Sequence, residues 1–269
     1  MAPPDLSIII PTFRREEPLR EAVLSVLALQ GLDFEVIVID DSPEGSAAAV
    51  IQAIGDPRVQ YSKHPAPTGG RPAIIRNGAA RQARGKVFFF LDDDDKAIPH
   101  NLAKAFQRLV SSPAGVLMST PHPFGPNPAR VQDEVRYFAK ALAFLDRPRH
   151  RLTVVARLLF AATPLVCSTC LIKASAFAAA GGFDETIPLC EDVEFYMRAI
   201  RTQGYLYQPE PILERRVGEA SLISAASTAR IAESYRMAHD KYRAQHGALE
   251  FWALKLWSRL LNRTTARPA

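Results

Sequence analysis

Four aspartates, Asp92 to Asp95, stand side by side straight after the apolar run Val87-Phe-Phe-Phe-Leu91. Carboxylates roughly 5 Å apart repel by about 3 kcal/mol at an effective dielectric near 20, so water or a cation must offset them. A hard divalent cation such as Mg²⁺ or Mn²⁺ takes carboxylate oxygens and completes its shell with water and substrate phosphates. The plainer alternative is a solvated turn in which an aspartate caps the helix that opens near Pro99. A cap explains one aspartate or two, and a cation accounts for more of the run.

A second acidic group lies in Cys190-Glu-Asp-Val-Glu-Phe-Tyr-Met-Arg198, which follows Gly181-Gly-Phe-Asp-Glu185. Apolar residues at Val193, Tyr196, Met197 and Ile200 have helical spacing and put Glu191 and Asp192 in the first turn. Carboxylates are favoured there by the helix dipole whether or not they do chemistry.

The elements that must position these groups alternate. Leu6-Ser-Ile-Ile-Ile10, Glu35-Val-Ile-Val-Ile39, Val59-Gln-Tyr61, Lys86 to Leu91 and Gly115 to Ser119 read as short buried strands. Between them, amphipathic spacing predicts helices after Pro18, over Ser46 to Ile54, from about Ala73 to Ala83 and from Pro99 to about Val110. Such alternation means an α/β chain with an open, mostly parallel sheet and helices on both faces. Ligands bind beyond the carboxyl ends of such strands. Pro11-Thr12, Asp40-Asp41 and Asp92 to Asp95 should therefore face one crevice.

Prolines 121, 123, 126 and 128 crowd a stretch read as irregular, and a boundary is placed there. The division is 1–119, 120–220 and a helical extension over 221–269. The middle part holds the basic cluster Arg147 to Arg151, a strand over Leu165 to Ile172, an alanine-rich helix stopped by Gly181-Gly182, and a helix from Glu191 to Thr202. The extension reads as helices over Ser227 to His246 and Leu249 to Asn262.

Composition excludes several classes. With 48% hydrophobic and 23% charged residues the chain can bury a sizeable core. The N-terminal stretch lacks the pattern of a secretory signal, and Val154 to Ile172 is interrupted by Arg157 and Pro164, so a cytoplasmic chain without a membrane span is expected. Three cysteines argue against a disulfide framework, and Cys167 with Cys170 reads as reduced thiols on opposite faces of a strand rather than a zinc or redox pair. The net charge of +5 favours acidic ligands, but no nucleic-acid-binding module accompanies it, so no nucleic-acid partner is expected.

Taken in order, Ser-Ile-Ile-Ile-Pro-Thr-Phe, Val-Ile-Val-Ile-Asp-Asp-Ser, the stretch from Arg76-Asn-Gly to Asp95, Gly-Gly-Phe-Asp-Glu and Glu-Asp-Val-Glu-Phe-Tyr-Met-Arg resemble the family 2 glycosyltransferases with the GT-A fold. The resemblance covers about residues 5 to 202. It implies an inverting transfer from a nucleotide-diphosphate sugar, with a UDP-sugar favoured, to a saccharide or lipid-linked acceptor in polysaccharide or glycoconjugate synthesis. By the same resemblance Pro11, Thr12 and Asp40 hold base and ribose, Arg76 and Asn77 line the donor pocket, and Asp92 and Asp93 face ribose and donor sugar. Asp94 matches the ligand of a Mn²⁺ or Mg²⁺ ion, and Asp192 the catalytic base. A sugar-phosphate nucleotidyltransferase and a catalytically silent binding module are the alternatives. Against the former, no glycine-rich and basic phosphate-binding signature follows the first strand.

One departure concerns the metal. Many relatives carry a histidine some twenty to thirty residues after the base, but Leu213 to Ser224 has none. Arg215 and Arg216 there are read equally as diphosphate partners or surface charges, and His239 and His246 as solvated residues of a later helix. In the last helix Leu249, Trp252, Ala253, Leu256 and Leu260 share a face, with Lys255, Arg259 and Arg263 on others. Such a helix can lie peripherally on the inner face of a membrane, or pack against its own lobe or a partner subunit.

Overall fold

A computed structural model describes residues 3–147, 149–161, 163–218 and 226–265. Pro148 of the basic cluster, the segment 219–225 and the side chain of Arg263 lie outside the described residues.

The alternating pattern builds one seven-stranded sheet in the order β3-β2-β1-β4-β8-β6-β9. Its strands are β1 (Leu6–Thr12), β2 (Phe34–Asp40), β3 (Val59–Lys63), β4 (Val87–Phe90), β6 (Val116–Ser119), β8 (Cys170–Lys173) and β9 (Tyr205–Gln208). β1 runs parallel to β2 and β4, β2 to β3, and β6 to β9, while β8 is antiparallel to both its neighbours. Strands from both sides of residue 119 thus share one sheet.

Period-two alternation sends successive side chains to opposite faces. On one face Leu6, Ile8 and Ile10 join Leu19 and Val23 of α1 (Glu16–Leu27) and Leu102 and Phe106 of α4 (Pro99–Val110). On the other, Ile9, Phe88 and Phe90 join Ala73 and Ile75 of α3 (Pro72–Ala80), Val155 of α6 (Arg151–Phe160), Ala176 of α7 (Ala174–Ala180) and the stripe of α8 (Glu191–Gln203). That stripe contains Val193, Tyr196, Met197 and Ile200, as their spacing predicted. A shorter helix, α2 (Ala48–Ile54), follows β2.

The proline-rich stretch departs from the irregular structure expected of it. His122–Phe124 is β7, and Asn127 caps α5 (Pro128–Leu142) by accepting from the Ala129 and Arg130 amides. Asn followed by Pro at the first helical position is a legible helix start that the crowding of prolines obscured. β7 pairs parallel to β10 (Leu213–Arg216), which pairs antiparallel to β5 (Lys96–Ala97), so a three-stranded sheet ties the aspartate run to Arg215 and Arg216.

The strand expected from Leu165 to Ile172 is shorter. Cys167–Thr169 is a turn of 3₁₀ helix and only Cys170–Lys173 is extended, so the opposite-face placement of the two thiols does not apply. Both are buried, and desolvation pushes both up.

Two helices end the described chain, α9 (Thr228–His246) and α10 (Ala248–Thr265). His239 is not solvated: its Nε2 lies 2.6 Å from the Leu159 carbonyl, and its ring packs against Phe160 and Phe251. α10 turns Phe251, Leu254 and Ser258 inward. The face predicted as its apolar stripe instead points outward, with Leu249 91%, Trp252 54% and Leu256 60% exposed. No helix among the described residues is long and apolar enough to cross a membrane.

Candidate active site

The carboxyl ends of β1, β2 and β4 open onto a cavity of about 1280 Å³. Its wall includes Pro11, Thr12, Asp41, Arg76, the whole run Asp92 to Asp95, Asp192, Arg215 and Arg216. Two expected residues stand apart from it. The Asp40 carboxylate is fully buried and accepts from the Ser42 and Ala47 amides at 2.8 and 2.9 Å and from the Tyr61 hydroxyl at 3.2 Å, so it shapes the turn into α2. Its neighbour Asp41 reaches the cavity wall, holding Thr68 through the amide and the hydroxyl. Asn77 braces the loop before α8: its side-chain nitrogen donates to the Phe183 carbonyl and its oxygen accepts from the Phe183 amide.

Each of the four aspartates has a partner inside the protein. Asp92 Oδ1 accepts from Arg76 Nη2 at 2.7 Å. Asp93 accepts from the Thr12 hydroxyl at 2.7 Å and from Arg15 Nη1 at 3.1 Å. The same Arg15 nitrogen donates to Asp94 Oδ2 at 2.6 Å. Asp95 accepts from the Arg216 amide at 2.9 Å, and Arg216 Nε donates to the Asp94 carbonyl at 3.0 Å. No aspartate of the run caps the next helix, because α4 begins after Ile98 with no side-chain cap.

Crowding still marks the carboxyls. Burial first, then the neighbouring carboxylates, lifts Asp93 to about 6 against the pull of Arg15 and Thr12. Burial and Asp92 raise Asp94, and burial with Asp92 and Asp94 holds Asp95 well above the usual range.

Arg76 joins the two acidic groups. Its buried guanidinium donates to Asp92 on one side and, through Nη1, to Glu191 Oε1 at 2.5 Å on the other, over the face of Phe183. Glu191 and Asp192 open α8, whose preceding residue Cys190 has φ 56°. Left-handed backbone at a non-glycine residue costs roughly 1 kcal/mol and turns the chain sharply into the helix. Burial raises Glu191 to about 7 despite Arg76. Asp192 is raised by burial, drawn down by Arg76 and raised again by Asp92. Its Oδ1 accepts from the Val193 amide at 2.8 Å, and the residue faces the cavity.

Arg215 and Arg216 are not simple surface charges. Arg215 Nη1 donates to Glu134 Oε2 at 2.7 Å and Arg216 Nη2 to Glu21 Oε2 at 2.6 Å, both from the cavity wall. Sequence reasoning missed Arg15, and of the pair Asp40-Asp41 that it put at the crevice it gave the base and ribose role to Asp40, whereas Asp41 is the one on the cavity wall. The signal for Arg15 is the basic pair Arg14-Arg15 straight after β1, which carries charge without the glycines of a phosphate-binding loop.

Among the described residues no group of three or more His, Cys, Asp or Glu side chains is placed to hold a metal ion. A cation that keeps waters and takes diphosphate oxygens needs only one or two carboxylates, and Asp94 on the cavity wall fits that partial set.

Comparison with known proteins bears on the family and the fold. The family model described as Glycosyl transferase family 2 matches residues 7–172. The chain is 30% identical over 113 residues to the succinoglycan biosynthesis protein ExoO of Rhizobium meliloti, covering 42% of this chain and 32% of that protein. It is 34% identical over 107 residues to the GalNAc(5)-diNAcBac-PP-undecaprenol beta-1,3-glucosyltransferase of Campylobacter jejuni, covering 39% of this chain and 34% of that one. The matches thus span about a third of those relatives' length. Among solved structures, S. aureus TarS in complex with UDP-GlcNAc superposes with a TM-score of 0.69 at 18% identity, over 94% of this chain and 71% of that one. The mannosyltransferase PcManGT from Pyrobaculum calidifontis, in complex with GDP-Man and Mn²⁺, gives 0.58 at 16% identity, over 97% and 81%. At these identities the superpositions speak for the fold, which is that of GT-A glycosyltransferases. The family match extends over more than half of the sequence, and the chain belongs to glycosyl transferase family 2.

Proposed function

We propose that the chain transfers a sugar, with inversion, from a nucleotide-diphosphate sugar to a hydroxyl acceptor in polysaccharide or glycoconjugate synthesis. The observation that carries this reading is that Asp192 and the strand-end aspartates face one cavity, with Arg76 tying Asp92 to Glu191, the residue before Asp192. In this reading residues 1–119 supply the donor side, and 120–220 supply the base and the acceptor side. Thr12, Asp41, Asp92 and Asp93 face the donor. A UDP-sugar is the favoured donor, in keeping with the UDP-GlcNAc held by TarS.

Asp192 accepts the proton of the acceptor hydroxyl as its oxygen attacks the anomeric carbon. The bond from that carbon to the diphosphate breaks on the opposite face, and its electron pair leaves with the diphosphate. A carboxyl raised by burial is a stronger base than an ordinary aspartate, while the nearby Arg76 charge draws it back down. Bound at Asp94, Mn²⁺ or Mg²⁺ would neutralise charge on the departing diphosphate. Arg215 and Arg216 add positive charge on the same wall.

Replacement Asp192→Asn tests the reading. Turnover should fall by about 10²- to 10⁴-fold with donor binding retained; unchanged turnover would remove Asp192 from the mechanism. Diphosphate release from a nucleoside triphosphate and a sugar phosphate would instead favour a nucleotidyltransferase, and donor binding without turnover on any acceptor a silent module.

A lipid-linked acceptor would place the chain at a membrane. The outward face of α10 supports contact with an anionic bilayer: Leu249, Trp252, Leu256, Trp257 and Leu260 are exposed together, and Lys255 lies over the Trp252 ring at 4.7 Å.

A further inference from the structure

The four aspartates need a counter-charge whether or not a metal is bound, and Arg15 supplies it for two of them. One guanidinium nitrogen bridges Asp93 Oδ1 and Asp94 Oδ2, the latter at 2.6 Å. The side chain is 30% exposed and those of its partners 9% and 18%, so the bridge sits at the inner wall of the cavity. The loop that presents it is held in place. Arg14, immediately before, has φ 53° and is clamped by two hydrogen bonds to Glu44, at 2.6 and 3.1 Å. Arg15 itself immediately precedes α1, with φ −136° and ψ 60°. A left-handed arginine beside an arginine on two carboxylates indicates a loop shaped to aim that second side chain.

A divalent cation bound at Asp94 would compete with Arg15 for the carboxylate whose Oδ2 oxygen Arg15 holds. A metal ion and a guanidinium cannot share that oxygen without strong repulsion. We propose that Arg15 is the resident counter-cation of the metal site: it yields Asp94 when the divalent ion arrives, and it moves its planar fork to the donor's diphosphate, with which it pairs well. Metal alone must displace Arg15 into water. Metal with the diphosphate displaces it onto a new partner. Arg15 therefore couples the two binding events, and by linkage each ligand tightens the other by the same factor. The inference rests on the donor-pocket reading above.

Titration with Mn²⁺ alone, followed by the electron paramagnetic resonance of the free ion, tests it with neither sugar nor turnover. The titration is repeated in the presence of UDP. In Arg15→Ala, Mn²⁺ alone should bind about tenfold more tightly than to the unaltered protein, and the tightening produced by UDP should shrink by a similar factor. Arg15→Lys, which keeps a cation, should stay near the unaltered protein. If the alanine variant does not fold, Arg15→Gln serves, since it removes the charge and keeps a side chain that can donate to Asp94. Unchanged or weaker Mn²⁺ binding in the neutral variants, or no Mn²⁺ binding to any form, would overturn the proposal. Such a failure would leave the transfer reading to stand or fall on Asp192→Asn.

Discussion

At the scale of single residues, the site is a set of carboxylates made tolerable by arginines. Arg76 is the most consequential of these, since it is buried between Asp92 and Glu191. Removing one partner of a buried ion pair leaves an uncompensated charge, at about 3–5 kcal/mol. Arg76→Met should therefore lower the urea midpoint steeply and weaken donor binding together, whereas a loss of binding without a loss of stability would contradict its bridging place. Asp93 gives a pH signature. Its carboxyl sits at about 6 in the folded chain against 3.8 for the free group, so between those values the folded state keeps a proton that the unfolded state has lost. Stability from this group accordingly falls as pH rises through that window, by up to about 3 kcal/mol. Asp94, Asp95, Glu191 and Asp192 are raised too and act in the same direction. Denaturant midpoints measured from pH 4 to 7 should decline less in Asp93→Asn than in the unaltered chain; parallel declines would remove Asp93 as a source.

At the scale of elements, the site depends on the short sheet of β5, β7 and β10 as much as on the large one. Gly125, just after β7, lies against the backbone of Val217, just after β10: a Cβ at Gly125 would come within 2.2 Å of the Val217 carbonyl oxygen. Gly125→Ala must push these strands apart, and with them Arg215 and Arg216. Overpacking of this kind costs typically about 1–3 kcal/mol. The expected result is a less stable chain with weakened donor binding, measured by thermal shift with and without nucleotide; a fully stable variant that binds donor normally would show that the small sheet does not set the site. The same elements explain what could be read in advance. β1, β2, β4, α4 and α8 announce themselves through local periodicity, and Asp92 to Asp94 and Asp192 follow because they sit at the ends of those elements. The small sheet was not legible, because β5 has two residues, β7 is half proline-flanked, and both are extended only through pairing with a strand some ninety or more residues away. Arg15 was missed for a related reason, since its partners lie 78 and 79 residues along the chain. Asp40 and Asp41 show a third limit: adjacent residues on a strand end face opposite ways, and a motif alone does not say which one reaches the cavity.

At the scale of the whole molecule, a mostly parallel sheet gathers the site at the carboxyl ends of its central strands, while α10 offers an apolar face elsewhere on the surface. Co-sedimentation with vesicles tests that face: binding should be seen with anionic lipid and be far weaker with neutral lipid. Trp252→Glu or Leu256→Glu should reduce it by about tenfold or more, since burying one large apolar side chain is worth roughly 2 kcal/mol. No binding to anionic vesicles would contradict membrane contact. We propose that the cavity at the strand ends holds a nucleotide-diphosphate sugar with the help of a divalent ion at Asp94. The most direct test is calorimetric titration of a panel of nucleotide sugars into the full chain, with and without Mn²⁺, and into Asp94→Ala. At least one nucleotide sugar should bind, more tightly with Mn²⁺, and Asp94→Ala should abolish the Mn²⁺ dependence. Absence of binding by every nucleotide sugar under both conditions, or Mn²⁺-dependent binding that survives in Asp94→Ala, would contradict this mode of donor binding.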